Sequence, residues 1–324
     1  MSTRVWLAMA AALIASVIVA LIVGPVELSI GDVFGALHGS ADPQATAIIR
    51  TIRLPRAVMG LLVGAGLSAS GVALQATMRN PLAEPYLLGV SGGAAVGAVL
   101  VSVAGFLHPA AVQIAAFSGA VLAVALVIAV AHASGARSSS PALVMAGVVI
   151  GAFANAAILV VLSGAPATAV RDALWWMMGS LSGATWVGTA WLATVVAVAF
   201  ATLWFLAREI DVLSLGSDAA AALGVDTDRA TRRVFVVAAL MAAATVASAG
   251  LIGFVGLVVP AIVRALGARS TRSSLIAAAI AGAALLVGAD VVARTIRAPA
   301  ELPLGAVTAL VGVPFFLARM RHVA

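Results

Sequence analysis

Ten apolar stretches recur along the chain, separated by short segments that carry most of its arginine, aspartate, glutamate and proline. A bilayer core of ~30 Å needs about 20 apolar residues per helix. The pattern therefore predicts membrane spans at 4–23, 57–77, 87–107, 110–131, 141–163, 187–206, 234–249, 251–266, 273–292 and 304–319. Two of these are irregular. The stretch 87–107 is rich in glycine, and 251–266 is short and contains Pro260; broken or short helices survive in a membrane where neighbours satisfy the backbone. The first stretch, after Arg4, lacks a small-residue cleavage site and is long enough to span, so it reads as an uncleaved helix.

Two connections exceed a simple turn. Residues 24–56 include Leu28 to Leu37, which reads as a short amphipathic helix. Residues 207–233 include Leu213 to Val225, which reads as small helices broken at Gly216 and Gly224, with Ala219 to Ala222 between them and acids at Asp211, Asp218, Asp226 and Asp228. A helix so poor in large apolar residues cannot bury itself unaided; it suits a partner's groove, the other reading being a solvated connector. Arg56 to Gly71 (RAVMGLLVGAGLSASG) and Arg233 to Gly250 (RVFVVAALMAAATVASAG) share an arginine at one end and a small-residue close at the other. Running in opposite directions through the membrane, they suggest an inverted repeat. The fold class expected is all-α and polytopic, one transmembrane domain over 1–324.

Composition agrees. Of 324 residues 63% are hydrophobic and 9% charged, whereas a soluble domain carries roughly 25% charged residues. There is no cysteine, which excludes disulfides and thiolate chemistry. The pI of about 11.5 does not signal nucleic-acid binding, because the basic residues sit in short groups between apolar stretches. All 18 are arginine. With the N-terminus inside, twelve fall on the cytoplasmic side: Arg4, Arg79, Arg137, Arg208, Arg229, Arg232, Arg233, Arg264, Arg269, Arg272, Arg319 and Arg321. The positive-inside rule favours that orientation, and an even number of spans returns the C-terminus to the cytoplasm.

Several chemistries fall away. Gly64-Ala65-Gly66-Leu67-Ser68-Ala69 satisfies a loose dinucleotide-binding pattern, but it lies within an apolar span and reads as a helix-packing surface. His38, His108, His132 and His322 have no metal-ligand spacing. A P-loop needs lysine, and the chain has none, so any ATP must be hydrolysed by another subunit. Charges fall at span ends; Asp290, the exception, pairs on paper with Arg294 at i, i+4. A secondary carrier driven by an ion gradient would need buried ion ligands, and an intramembrane enzyme a catalytic pair at depth. The sequence offers neither.

Six polar or proline-bearing sequences mark the membrane faces: Arg53-Leu54-Pro55-Arg56; Arg79-Asn80-Pro81-Leu82-Ala83-Glu84-Pro85; Leu88-Gly89-Val90-Ser91-Gly92-Gly93; Met178-Gly179-Ser180-Leu181-Ser182; the run from Gly250 to Pro260; and Ala300-Glu301-Leu302-Pro303-Leu304-Gly305. In this order and spacing, from about residue 50 to the C-terminus, the chain resembles the permease family of type II ABC importers for iron-siderophores, haem and cobalamin.

That resemblance implies a cobalamin-permease-like bundle of about ten helices in the bacterial cytoplasmic membrane. It implies a second permease copy or paralogue, two ATPase subunits that hold ATP and Mg, a substrate-binding protein outside, and no cofactor on this chain. By position it assigns binding-protein docking to Arg53, Arg56 and Arg294; outer-interface anchoring is the alternative for them. It assigns ATPase coupling to Leu215, Gly216, Ala219, Leu223 and Gly224, and cytoplasmic gates to Asn80, Leu82, Ser139 and Ser140. Where many relatives carry histidine after the proline of GLVVP, this chain has Ala261. Nothing in the sequence separates the three cargo classes.

Overall fold

A computed structural model describes residues 1–106, 108–133 and 140–320. Among them run fifteen α-helices and no strand: α1 (Thr3–Ile22), α2 (Ile30–His38), α3 (Pro43–Ala47), α4 (Leu54–Thr77), α5 (Val90–Val103), α6 (Pro109–Ala133), α7 (Ser140–Ser163), α8 (Ala167–Met177), α9 (Trp186–Phe205), α10 (Ala207–Leu213), α11 (Ser217–Ala222), α12 (Thr227–Ala249), α13 (Val255–Ala265), α14 (Thr271–Thr295) and α15 (Leu304–Met320). A π-helical segment, Ile48–Arg53, joins α3 to α4, and a 3₁₀ turn, Pro85–Leu88, precedes α5.

Among the described residues seven helical stretches are long and apolar enough to cross a membrane, and α5, α13 and α15 supply shorter apolar helices. Together they occupy the ten expected positions. Large side chains face outward along the perimeter helices, such as Ile14 and Ile18 on α1 and Val148, Val149 and Phe153 on α7. A water-soluble protein would bury them; here they are the surface that meets lipid.

The bundle is built around α4, buried along most of its length. Small residues make this packing close. A Cβ on Gly64 would stand 2.2 Å from the Gly282 carbonyl oxygen of α14, and one on Gly71 would stand 2.0 Å from that of Gly256 on α13. Backbone therefore rests on backbone, and the 64–69 pattern is a packing surface. On the other side α12 crosses α4: Ser70 Oγ donates to Ala238 O (3.0 Å), while Gly66 faces Met241 and Thr245. Positions on α12 rise as those on α4 fall, so the two proposed repeat segments run antiparallel.

Each of those two helices leads, through non-helical chain, into a short helix. Pro81 and Pro85 lack backbone donors, and Gly89 is left-handed (φ 80°), so the expected 87–107 span contracts to α5. At the second break Gly250 (φ 72°) and Phe254 (φ 68°) hold chain that cannot be α-helical, and the expected 251–266 span contracts to α13. Other boundaries moved as well. The helix expected from 57 is a continuous 35-residue stretch from Pro43, which draws Arg53 and Arg56 into helix. The helix expected from 234 begins at Thr227, where Asp226 accepts a capping bond from Arg229 N (3.0 Å). Helix α8 was not expected from the sequence.

Candidate functional site

At the α2 side of the bundle, two of three clustered arginines, Arg53 and Arg294, bond the end of α1. Arg53, buried at the close of the π-helical segment, donates from Nη1 to Leu21 O and Ile22 O (both 2.7 Å) and from Nη2 to Val26 O. The last carbonyls of a helix have no intrahelical partner, and a guanidinium with five donors in a fixed fork can satisfy several at once. Gly24 leaves room for it, since a Cβ there would meet Nη2 at 2.8 Å. Arg294 of α14 donates to Ala20 O (2.5 Å).

Arg56 holds two carboxylates. Its Nε lies 3.1 and 3.0 Å from the two Asp290 oxygens and its Nη2 donates to Asp290 Oδ1 at 2.8 Å. Nη1 and Nη2 donate to Glu301 Oε1 (2.6 Å) and Oε2 (2.8 Å). These hydrogen bonds hold the Glu301 carboxyl below the usual range, against a smaller opposing effect of burial. The sequence pairs Asp290 with Arg294. The structure keeps that contact at 3.7 Å but gives Asp290's hydrogen bonds to Arg56, 234 residues away.

Arg53, Arg56 and Arg294 are therefore ties among α1, α4, α14 and the 296–303 connection. All three are buried, and offering them to a separate protein would break bonds inside this one. The exposed arginines at this end include Arg50, Arg171 and Arg297.

At the opposite side, α10 and α11 form a bracket. Gly216 (φ 117°) and Gly224 (φ 80°) make the turns, while Ala220 packs with Leu213 and Ala230. Leu215 (66% exposed), Ala219 and Leu223 (63% exposed) follow each other at four-residue spacing on the open face. The bracket has a firm root: Asp211 Oδ1 accepts from Thr271 N (2.8 Å) and Thr271 Oγ1 (2.6 Å) at the start of α14. Asp211 thus bonds α10, which carries α11, to α14, and α14 in turn packs backbone to backbone on α4 at Gly64–Gly282.

Of the residues expected at the cytoplasmic gates, Asn80 Oδ1 accepts from Leu82 N (2.9 Å) in a tight turn, and Leu82 is exposed. Ser140 opens α7; Ser139 lies outside the described residues.

Two residues without a role in the sequence reading prove central, Glu84 inside the 79–85 motif and Tyr86 just beyond it. Glu84 Oε1 accepts from Phe254 N (2.7 Å) and Tyr86 Oη from Ile252 N (2.9 Å). They satisfy donors that the break before α13 leaves without helical partners, and they join the two discontinuous segments. The proline pair around Glu84 is the one sequence signal that non-helical chain lies there. Nearby, an apolar crevice of about 210 Å³ is lined by Met177, Met178, Leu251, Phe254, Pro303 and Ala306, among others.

Comparison with known proteins gives one consistent result. Residues 12–322 match the FecCD transport family. The chain is 44% identical over 287 residues to the cobalamin import system permease protein of Halobacterium salinarum, covering 88% of this chain and 76% of that one. It is 39% identical to the hemin transport system permease protein of Yersinia pestis (82% and 80% covered). It is 35% identical to the Fe(3+)-citrate import system permease protein of Bacillus subtilis (90% and 89% covered). A metal-chelate type ABC transporter solved in an inward-facing conformation superposes with a TM-score of 0.89 at 27% identity, covering 99% of this chain and all of that one.

Proposed function

The chain belongs to the FecCD transport family, and from that premise we propose that it is the membrane-spanning half of an ATP-driven importer for a metal chelate: an iron-siderophore, haem or cobalamin. Relatives are named for import of cobalamin, hemin and Fe(3+)-citrate. In this reading the N- and C-termini are cytoplasmic, the α11 side faces the cytoplasm of a bacterial cell, and two copies form the pathway.

The observation that carries the proposal is the bracket. Leu215, Ala219 and Leu223 present an exposed apolar ridge along and beside α11, whose one buried side chain is Ala220, and Asp211 of α10 bonds the segment to the start of α14. That is what a lever moved by another protein requires. A chain without lysine lacks the residue a P-loop uses on phosphate, so the force comes from partner ATPases that bind ATP and Mg. Their closure displaces α11, and α14 and α4 move with it as a packed unit.

The gates at Asn80, Leu82, Ser139 and Ser140 belong to the same proposal, since Leu82 and the start of α7 lie near that side. A binding protein docks at the α2 side. Arg171 and Arg297 are the favoured contacts, because exposed guanidiniums meet carboxylates without first leaving a buried partner, whereas Arg50 is held on the carbonyls that end α2. Arg53, Arg56 and Arg294 set the scaffold beneath.

The experiment is reconstitution in vesicles with cognate ATPases and binding protein. ATP-dependent uptake of one of the three chelates supports the proposal. ATP hydrolysis with uptake of none of them would overturn the cargo assignment.

A further inference from the structure

The short helix α2 is apolar over a wider arc than the protein covers. It is well defined: Ser29 Oγ accepts from Asp32 N (3.1 Å), Asp32 Oδ2 accepts from Ser29 N (2.8 Å), and Gly39 (φ 82°) closes the far end. Helical residues advance by about 100°. On that wheel Val33 and Ala36 form one sector, packed with Leu21 and Ile49. The sector beside it holds Ile30, Leu37 and Phe34, which are 59%, 44% and 61% exposed. Polar and small residues, His38, Gly31 and Asp32, come only after Phe34. The apolar arc therefore runs roughly 100° past the edge of the bundle.

The depth of that arc is set by a neighbouring span. Arg50 Nε and Nη2 donate to Ala36 O (2.7 Å) and Leu37 O (2.9 Å), capping α2. The Arg50 carbonyl in turn accepts from Trp186 Nε1 (2.9 Å). Trp186 is the first residue of α9, and Val187 after it is 83% exposed. Tryptophan at the mouth of a span favours the boundary between headgroups and acyl chains. Ile52, on the same segment as Arg50, adds a further exposed apolar side chain. The uncovered arc of α2 is thus continuous with surface that already faces lipid.

We propose that Ile30, Phe34 and Leu37 lie in the headgroup–acyl boundary of the leaflet on the α2 side. There α2 acts as an interfacial foot that fixes the depth of the 24–53 connection and, through Arg53, of the end of α1. Amphipathic helices bind this boundary by burying an apolar face a few ångströms into it. The inference is independent of cargo and of the energy source.

Because the chain has no cysteine, single variants Ile30→Cys, Phe34→Cys, Leu37→Cys and His38→Cys each accept one nitroxide label. Accessibility to molecular oxygen and to a water-soluble nickel chelate is read by electron paramagnetic resonance, on the purified chain in phospholipid nanodiscs without other subunits. Labels at 30, 34 and 37 should show a several-fold higher oxygen-to-nickel ratio than the label at 38. Three results would overturn the proposal: equal nickel access at all four sites, which makes the arc a water-facing surface for a soluble partner; dipolar broadening with exclusion of both reagents, which makes it a contact with a second copy; and a ratio at 38 matching that at 34. Three arc positions are used so that one poorly folding variant leaves the pattern readable.

Discussion

Replacing Arg56 with glutamine separates a structural tie from a docking contact. In the wild-type chain Asp290 is 4% exposed, and Arg56 donates hydrogen bonds to its carboxylate at 2.8 to 3.1 Å. Once Arg56 is gone the nearest guanidinium nitrogen, Arg294 Nε, stands 3.7 Å away, too far for a hydrogen bond. Breaking a buried pair by removing one member costs about 3–5 kcal/mol, because the other charge stays buried. Glu301, a third exposed, turns toward water and adds little. Arg56→Gln should therefore lower the thermal midpoint of the detergent-purified protein clearly. Arg56→Gln combined with Asp290→Asn, which removes the stranded charge, should recover a large part of the loss, with a coupling of about 2 kcal/mol or more. Size-exclusion profiles after a temperature series give the midpoints. An Arg56→Gln protein as stable as wild type, yet weaker in binding-protein affinity, would refute the tie and restore the docking role to Arg56.

Other outcomes follow from the same geometry. Gly71→Ala places a methyl 2.0 Å from the Gly256 carbonyl oxygen, and forcing α4 and α13 apart should cost about 1–3 kcal/mol or more, seen as a lowered midpoint; an unchanged midpoint would contradict the backbone contact. Tyr86→Phe removes the acceptor for Ile252 N and should cost about 1–3 kcal/mol by the same assay, with no change in expressed topology. Glu301 is held below its usual pKa by Arg56, so its stabilisation is complete above an unfolded value of about 4.3 and fades as pH falls through the lower folded value. The midpoint gap between wild type and Glu301→Gln should be flat from neutral pH down to about pH 5 and close below it; a gap that widens in acid would contradict the sign. Ala219→Trp on the exposed ridge of α11 should leave the isolated chain as stable as wild type while uncoupling ATP turnover from uptake in the assembled transporter, and normal coupling would count against the lever.

The sequence made the spans legible because each needs about 20 apolar residues in a row, a local property that survives without knowledge of packing. The bracket was legible for a related reason: glycines at 216 and 224 enclosing a run of alanines cannot form a self-burying helix. What escaped was set by partners far along the chain. Arg56 shows as a charge at a membrane face, and nothing local says that Asp290, 234 positions later, accepts its hydrogen bonds. Expected as contacts for another protein, Arg53, Arg56 and Arg294 are occupied within this one. Glu84 and Tyr86 escaped similarly, because a carboxylate beside two prolines looks like a surface turn until the break before α13 supplies the donor it accepts from. Helix α8 was missed because its run from Ala167 to Met177 is too short to span and carries Arg171 and Asp172.

The central claim is that this permease is moved by the nucleotide chemistry of other subunits, and uptake by reconstituted vesicles tests it most directly. With ATPase subunits and binding protein present, chelate should accumulate when ATP is supplied and stop when it is withheld. Accumulation by the chain alone in lipid, driven by a proton or sodium gradient without ATP, would contradict the account.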